Sequence, residues 1–161
     1  MKCLVFSDSH GDTYNMRRAL RLHPDAEVVF FLGDGLDDAD IIARDSCERA
    51  WLVAAGNCDT SRIFRDAFVP KTDGRCLEGH RIVFTHGDLY GAKYGDDGLI
   101  GLAGQLSAEL ILFGHTHRPT ERYMPTDEGG VYLFNPGSIA SGSYGIVMLS
   151  EQGILLSHGK I

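Results

Sequence analysis

The chain has no long apolar run, no tract of basic residues, no C-x-x-C pair and no low-complexity segment. Each absence removes a class of protein. A membrane-spanning helix takes about 18 to 20 consecutive apolar residues, and no stretch approaches that length. The first apolar run, Cys3 to Phe6, is four residues long, too short for the core of a secretory signal. The expected location is therefore cytoplasmic, with no membrane partner. The four cysteines, Cys3, Cys47, Cys58 and Cys76, lack the spacing of a zinc ribbon or a thioredoxin-type pair. Reduced, mostly buried thiols are expected. Basic residues number 15 against 22 acidic ones, a net charge of −7. Long nucleic acids, held by phosphate neutralisation, need the opposite balance and are not expected as partners. A small anion drawn to a bound metal is compatible with it.

What is present fits one globular domain spanning residues 1–161, long enough to bury about two thirds of its unfolded surface. "KCLVFS" (Lys2 to Ser7), "EVVFFL" (Glu27 to Leu32) and "WLVAA" (Trp51 to Ala55) read as buried strands. Between them, Met16, Ala19, Leu20 and His23 recur at helical spacing, and Asp38 to Asp45 reads as a short helix. This β-α-β-α-β alternation predicts a layered α/β domain with parallel neighbours. Further on, "FRDAFVP", a turn at "KTDG", strands ending in Arg81 to Thr85 and Glu109 to Phe113, and a helix over Asp97 to Leu106 are expected. The last third is strand-rich, with turns at "TDEGG" and "EQG". Two packed sheets flanked by helices is the most economical architecture.

The polar residues sit where apolar runs end. Ser7, Asp8, Ser9 and His10 follow "CLVF"; Gly33 and Asp34 follow "VVFFL"; Gly56 and Asn57 follow "WLVAA". His86 follows "IVFT", and Gly114, His115 and His117 follow "LILF". Ligands of open α/β sheets collect at such carboxyl ends, and glycine lets these turns aim short side chains at a shared centre. Asp8, His10, Asp34, Asn57, His86, His115 and His117 offer two carboxylates, one amide and four imidazoles. That mixture suits manganese, iron, zinc, nickel or cobalt better than calcium or magnesium. Seven ligands exceed one ion and fit two ions sharing a carboxylate.

Each residue alone has a plainer reading: Asp8 a helix cap, Asn57 a turn residue, His86 a hydrogen-bonded core imidazole. "GDGLDDAD" resembles a calcium loop only loosely, lacking its glycine and closing glutamate. His115 and His117 resist dismissal, because alternation on an extended segment puts both on one side.

"DSH" (Asp8 to His10), "GD" (Gly33, Asp34), "GNCD" (Gly56 to Asp59), "THG" (Thr85 to Gly87) and "GHTH" (Gly114 to His117), in this order, resemble the calcineurin-like metallophosphoesterase signature. The short length and the "GNCD" variant are similar to its small bacterial and archaeal phosphodiesterase branch. The resemblance implies a four-layer αββα sandwich of two mixed sheets flanked by helices. It implies one ion held by Asp8, His10, Asp34 and His117, and another by Asp34, Asn57, His86 and His115, with Asp34 shared. The cofactors implied are two divalent ions, manganese first, with nickel, iron, zinc or cobalt as alternatives. "NPGS" (Asn135 to Ser138) also matches a family element that supports the site.

Three departures stand out. Cys58 occupies a position where many relatives carry a histidine that helps protonate the leaving group or contacts the phosphate. Asp88 replaces the last histidine of T-H-G-H, as an orienter of a metal-bound imidazole, a proton donor or a turn residue. The Pro-Arg that often follows "NPGS" is absent. The activity implied is hydrolysis of a small phosphodiester by metal-activated hydroxide, with Asp34, Asn57 and His86 at the reacting centre. Without an evident general acid, esters with low-pKa leaving groups should react best. The alternative is a non-catalytic protein-interaction scaffold of the same fold; a nuclease would want a basic groove that the composition lacks. Arg62 and Arg65 are candidates for the pocket lining, and Tyr90, Lys93 and Tyr94 for a substrate-facing loop. Small relatives often form dimers, so a homodimer or higher homo-oligomer is a further expectation.

Overall fold

The computed structural model describes residues 1–125 and 129–161. The chain begins with β1 (Lys2–Phe6), α1 (Tyr14–Leu22), β2 (Val28–Phe31), α2 (Leu36–Asp45) and β3 (Ala50–Val53). A small hairpin, β4 (Ile63–Phe64) with β5 (Ala67–Phe68), leads to β6 (Thr72–Leu77), β7 (His80–Thr85), α3 (Asp97–Leu106) and β8 (Leu110–Phe113). The chain closes with β9 (Thr120–Met124), β10 (Val131–Asn135), β11 (Ser143–Ser150) and β12 (Gly153–Lys160). Single turns of 3-10 helix lie at Asp88–Tyr90 and Ile139–Ser141.

One sheet runs β12-β11-β1-β2-β3 and the other β6-β7-β8-β10-β9. In the first, β1, β2 and β3 are parallel, with Leu4 opposite Val29 and Val29 opposite Trp51. In the second, β7, β8 and β10 are parallel, and β6 and β9 close the edges antiparallel.

Alternation along the strands divides the core. Cys3 and Val5 of β1, with Phe30 of β2, face inward onto Phe84, Leu110, Leu112 and Phe134 of the other sheet. Leu4, Phe6, Val29 and Phe31 point the opposite way, onto Met16, Ala19 and Leu20 of α1 and Leu36 and Ala39 of α2. On the far side, Val83, Ile111 and Leu133 carry Leu99, Leu102 and Ala103 of α3. The central strands are thus covered on both faces, which is why they read as unbroken apolar runs. The result is helix, sheet, sheet, helix, the expected sandwich. Burying Phe30 alone contributes about 1.5–3 kcal/mol, and its ring meets Phe84 edge-on across the inter-sheet layer, centroids 5.3 Å apart.

Some local expectations are corrected. "KTDG" is no turn: Thr72, Asp73 and Gly74 begin β6, pairing with Thr85, Phe84 and Val83. The reversal falls at Glu78 and Gly79, both at positive φ, where glycine tolerates the left-handed backbone. Of the "TDEGG" turn, Thr126, Asp127 and Glu128 lie outside the described residues. All four cysteines are free, but only Cys3 is buried, so the thiols are mostly exposed. Burial pushes the Cys3 thiol up to about 12. Among the described residues no helix is long and apolar enough to cross a membrane.

Candidate metal centre

The parallel strands of both sheets end at the same place. The exit of β1 is tied to that of β2 by Asp8 N–H donating to Gly33 O (3.0 Å), and the exit of β8 to β1 by His115 N–H donating to Asp8 Oδ2 (3.1 Å). The exit of β7 is tied to β2 by His86 Nδ1 and Leu32 O, 2.7 Å apart. Carboxylates and imidazoles from four segments thereby converge.

The turns carrying them are strained. Asp8 (φ 56°), His10 (46°), Asp34 (57°), His115 (66°) and His117 (59°) all adopt the left-handed backbone that non-glycine residues avoid. Such conformations cost about 1–3 kcal/mol each and persist where the surroundings over-determine them. Here the surroundings include two glycines. A Cβ on Gly56 would collide with the Asp34 carboxylate and backbone N, and one on Gly114 with the Ser7 hydroxyl.

Six of the seven expected residues are brought together. One group joins Asp8, His10 and His117: His117 Nε2 lies 3.1 Å and His10 Nε2 3.8 Å from Asp8 Oδ1, with 3.4 Å between the two rings' Nε2 atoms. The other gathers Asp34, His86 and His115: His86 Nε2 lies 3.3 Å from Asp34 Oδ2 and 3.1 Å from His115 Nδ1. The potential ligand atoms of Asp8, Asp34 and His86 also lie within 4.8 Å of one another, linking the groups. Asn57 differs: it is exposed on the β3 exit, its amide donates to Cys58 Sγ (3.2 Å), and it makes no hydrogen bond to the other six.

These residues fit divalent ions. Asp8 Oδ2 is satisfied by Ser7 Oγ (2.5 Å) and His115 N–H, whereas Oδ1 is buried with no hydrogen-bond partner. A buried carboxylate oxygen left so is costly, and imidazole nitrogens close to it without hydrogen-bond geometry leave it open for a cation. His86 is prepared likewise. A carbonyl can only accept, so Nδ1 carries a proton and Nε2 is the nitrogen that faces the centre, able to ligate once its own proton is displaced. Burial would lower His86 and raise Asp34, but their mutual contact reverses both. His86 is held above the ordinary imidazole range, Asp34 well below the carboxylate range with help from Cys58 N–H. Burial, the His86 charge and Lys93 push His115 down, favouring its neutral, ligating form.

Three residues support the centre, and two of them, Asp59 and Asp38, carry more than the sequence reading assigned them. Asp59 accepts backbone N–H groups from Asp34 (2.9 Å), Gly35 (2.8 Å), Leu36 (2.9 Å) and Gly56 (2.7 Å), clamping the Asp34 turn and the start of α2. Its place three residues after Gly56 is an available turn signal. Asp38 takes Ser9 Oγ (2.6 Å) and Gly11 N–H (2.8 Å), fixing the loop of His10. Asn135 donates to Gly114 O (2.7 Å) and Thr116 Oγ1 (3.1 Å), bracing the histidine turn as expected of "NPGS".

Other expectations change. Asp88 does not orient His86, a task that Leu32 O performs; it opens a 3-10 turn and pairs with Lys71 Nζ (2.8 Å). Arg62 is turned to Val69 O and stacks over Phe68, and Arg65 donates to Ala43 O, so neither guanidinium enters the centre. Lys93 does line a cavity beside it.

A two-sheet sandwich with a carboxylate-imidazole centre at its strand exits defines a metal-dependent hydrolase class, and comparison with known proteins agrees. Residues 1–152 match the calcineurin-like phosphoesterase superfamily domain, and the chain belongs to that family. It is 31% identical over 139 residues to the probable metallophosphoesterase YsnB of Bacillus subtilis (strain 168), covering 86% of this chain and 75% of that protein. Among solved structures, a predicted phosphoesterase of Streptococcus pneumoniae TIGR4 superposes with a TM-score of 0.77 at 24% identity, covering 99% of this chain and 88% of the other. Vps29 of Entamoeba histolytica complexed with zinc gives 0.75 at 17%, covering 99% of each. An archaeal phosphodiesterase gives 0.70 at 19%, covering 98% and 99%. At these identities the structural likenesses are of fold.

Proposed function

We propose that this phosphoesterase is a phosphodiesterase of small substrates, using two divalent ions held by Asp8, His10, Asp34, Asn57, His86, His115 and His117. The observation that carries the reading is an orphaned Asp8 Oδ1 within two clusters of potential ligands, Asp8 with His10 and His117, and Asp8 with Asp34 and His86. The ions would polarise phosphoryl oxygens and acidify water for in-line attack; manganese, iron, zinc, nickel and cobalt all suit a mixed oxygen and imidazole set, and manganese is the one the family resemblance puts first.

The chain's own residues do the positioning. Asp34, locked by Cys58 N–H (2.8 Å) and by Asp59 on its backbone, is the shared carboxylate. His86 presents its Nε2 lone pair because Leu32 O holds its proton. His115 and His117 leave one turn for opposite groups, and that is the use of two imidazoles after Gly114. Asn57 completes the second group by a side-chain rotation away from Cys58. Only two ligand carboxylates are spent, so a loaded centre attracts an anionic ester despite the net charge of −7. The Cys58 thiol, raised by its contact with Asp34 and by burial, stays protonated near neutrality and is a poor proton donor to an alkoxide. Aryl esters should therefore outrun alkyl esters.

The test loads the metal-stripped protein with manganese and measures hydrolysis of bis(p-nitrophenyl) phosphate beside p-nitrophenyl phosphate. Faster diester turnover supports the reading; a preference for the monoester refutes it. The likeness to Vps29 favours a second reading, a protein-interaction scaffold of the same fold. Because that Vps29 also carries zinc, turnover rather than metal content separates the two.

A further inference from the structure

Beside the centre lies a cavity of about 430 Å³, and Thr116, between the two imidazoles of the histidine turn, forms part of its wall. Phe113 and Ala92 supply an apolar surface, and Lys93, Arg118, Arg122 and Asp96 supply charge. The charges are unequal in kind. Arg122 is spent on Asp96. Lys93 and Arg118 have no side-chain hydrogen bond or ion pair among the described residues, as is true besides only of Arg18 and Arg21 on α1, whereas the other lysines and arginines have one, Lys2, Arg17, Lys71 and Arg75 among them. In a chain with seven more acids than bases, acidic partners are plentiful. Two cations left without them at one cavity are available to a ligand.

Their placement relates to the centre. Lys93 lines the same cavity wall as Thr116, the residue between His115 and His117. Arg118 follows His117 directly, its backbone N–H held by Thr116 Oγ1 (3.3 Å), and Thr116 is itself braced by Asn135. A group in this cavity thus adjoins whatever occupies the centre, on a framework that is already fixed. Cavities of this size hold a small ligand fragment, and guanidinium with ammonium is the pairing that recognises phosphate or carboxylate.

We propose that this cavity binds a second anionic group of the substrate, so that the preferred ester carries a phosphate or carboxylate on the arm beyond the scissile phosphoryl, recognised by Lys93 and Arg118. This rests on the phosphodiesterase reading for the scissile bond, but the anion site itself does not. A substrate with two separated negative centres, such as a phosphorylated glycerol or sugar ester, fits better than a neutral-armed one.

Two experiments separate the claims. In the first, inorganic phosphate is titrated into the metal-free protein and followed by backbone amide NMR. Saturable shifts at Lys93, Thr116 and Arg118 are expected, with binding at least about tenfold weaker in Lys93→Gln/Arg118→Gln, as loss of charge-assisted hydrogen bonds predicts. Absence of shifts there, or unchanged affinity in the double variant, overturns the proposal. In the second, kcat/KM of the manganese-loaded protein is compared for two p-nitrophenyl phosphodiesters, one with its second arm ending in phosphate and one in hydroxyl. A preference of about tenfold or more for the phosphate arm is expected, reduced toward unity in the double variant and retained in Lys93→Arg. Equal values for the native protein overturn substrate recognition by the cavity. Phosphate binding without hydrolysis of either ester would uphold the anion site and defeat the phosphodiesterase reading instead.

Discussion

His86 Nε2 and His115 Nδ1 lie 3.1 Å apart, and the other nitrogen of His86 is committed to the carbonyl of Leu32. With the His86 ring neutral, its Nε2 has only a lone pair to offer. A proton on His115 or a cation must therefore mediate the contact. Changing His86 to Ala removes a proposed ligand and the tie between β7 and β2 together. We expect kcat/KM on an aryl diester to fall by more than about a hundredfold, since even outer partners of metal ligands are worth 10–100-fold. Steady-state kinetics with metal analysis of the same sample checks this, and a fall of less than about threefold speaks against it.

Gly56→Ala places a methyl against the Asp34 carboxylate and its backbone N. Overpacking of this kind costs about 1–3 kcal/mol, but the larger effect should be on metal affinity, because Asp34 is the proposed shared carboxylate. Metal titration of a variant that still melts cooperatively should show weakened binding of both ions. A variant binding metal as tightly as the native protein would remove Asp34 from its bridging place.

Asp59 tests the scaffolding beneath. Its two oxygens accept four N–H groups, one of them from Leu36 at the start of α2. In Asp59→Asn an amide donor must face two of those N–H groups, and a helix start loses a neighbouring negative charge. The expected cost is about 2–4 kcal/mol, a fall in melting temperature of roughly 5–15 °C for a chain of this size. Scanning calorimetry measures it; a change below about 2 °C would show the clamp to be dispensable.

His80 should make stability depend on pH. Its Nδ1 lies 2.9 Å from Glu109 Oε2 and its Nε2 2.9 Å from Ser150 O, joining the start of β7 to the other sheet. Two acceptors require both nitrogens to be donors, so the ring is an imidazolium, and Glu109 first and Ser150 second raise it above 6.5. A group whose folded pKa is raised contributes fully below its unfolded value and loses that contribution as pH rises through the folded one. The urea midpoint of the native protein relative to His80→Gln should therefore fall between pH 6 and pH 9, by an amount below about 1 kcal/mol for so accessible a pair. An invariant or rising difference would contradict the doubly donating ring.

The candidate centre was legible as a cluster because strand exits announce themselves. Leu110–Phe113 is apolar throughout and His115 comes two residues later, so burial and function change over within a few positions. What escaped the sequence depends on distant partners. Asp59 acts on a loop more than twenty residues away, and Asp88 turns to Lys71 on another segment rather than to its neighbour His86. "KTDG" has turn composition, but its pairing with Val83 to Thr85 on β7 makes it a strand, tertiary context overriding local preference. Cysteine type predicts burial on average, and Cys47, Cys58 and Cys76 sit outside the alternating inward positions that bury Cys3.

The most direct measurement is calorimetric titration of manganese into the metal-free protein, repeated for His117→Ala and His115→Ala. The account predicts two ions per chain for the native protein, with each variant weakening one site more than the other and a different site in each case. A native stoichiometry of zero or one, or two sites that neither substitution disturbs, would contradict it.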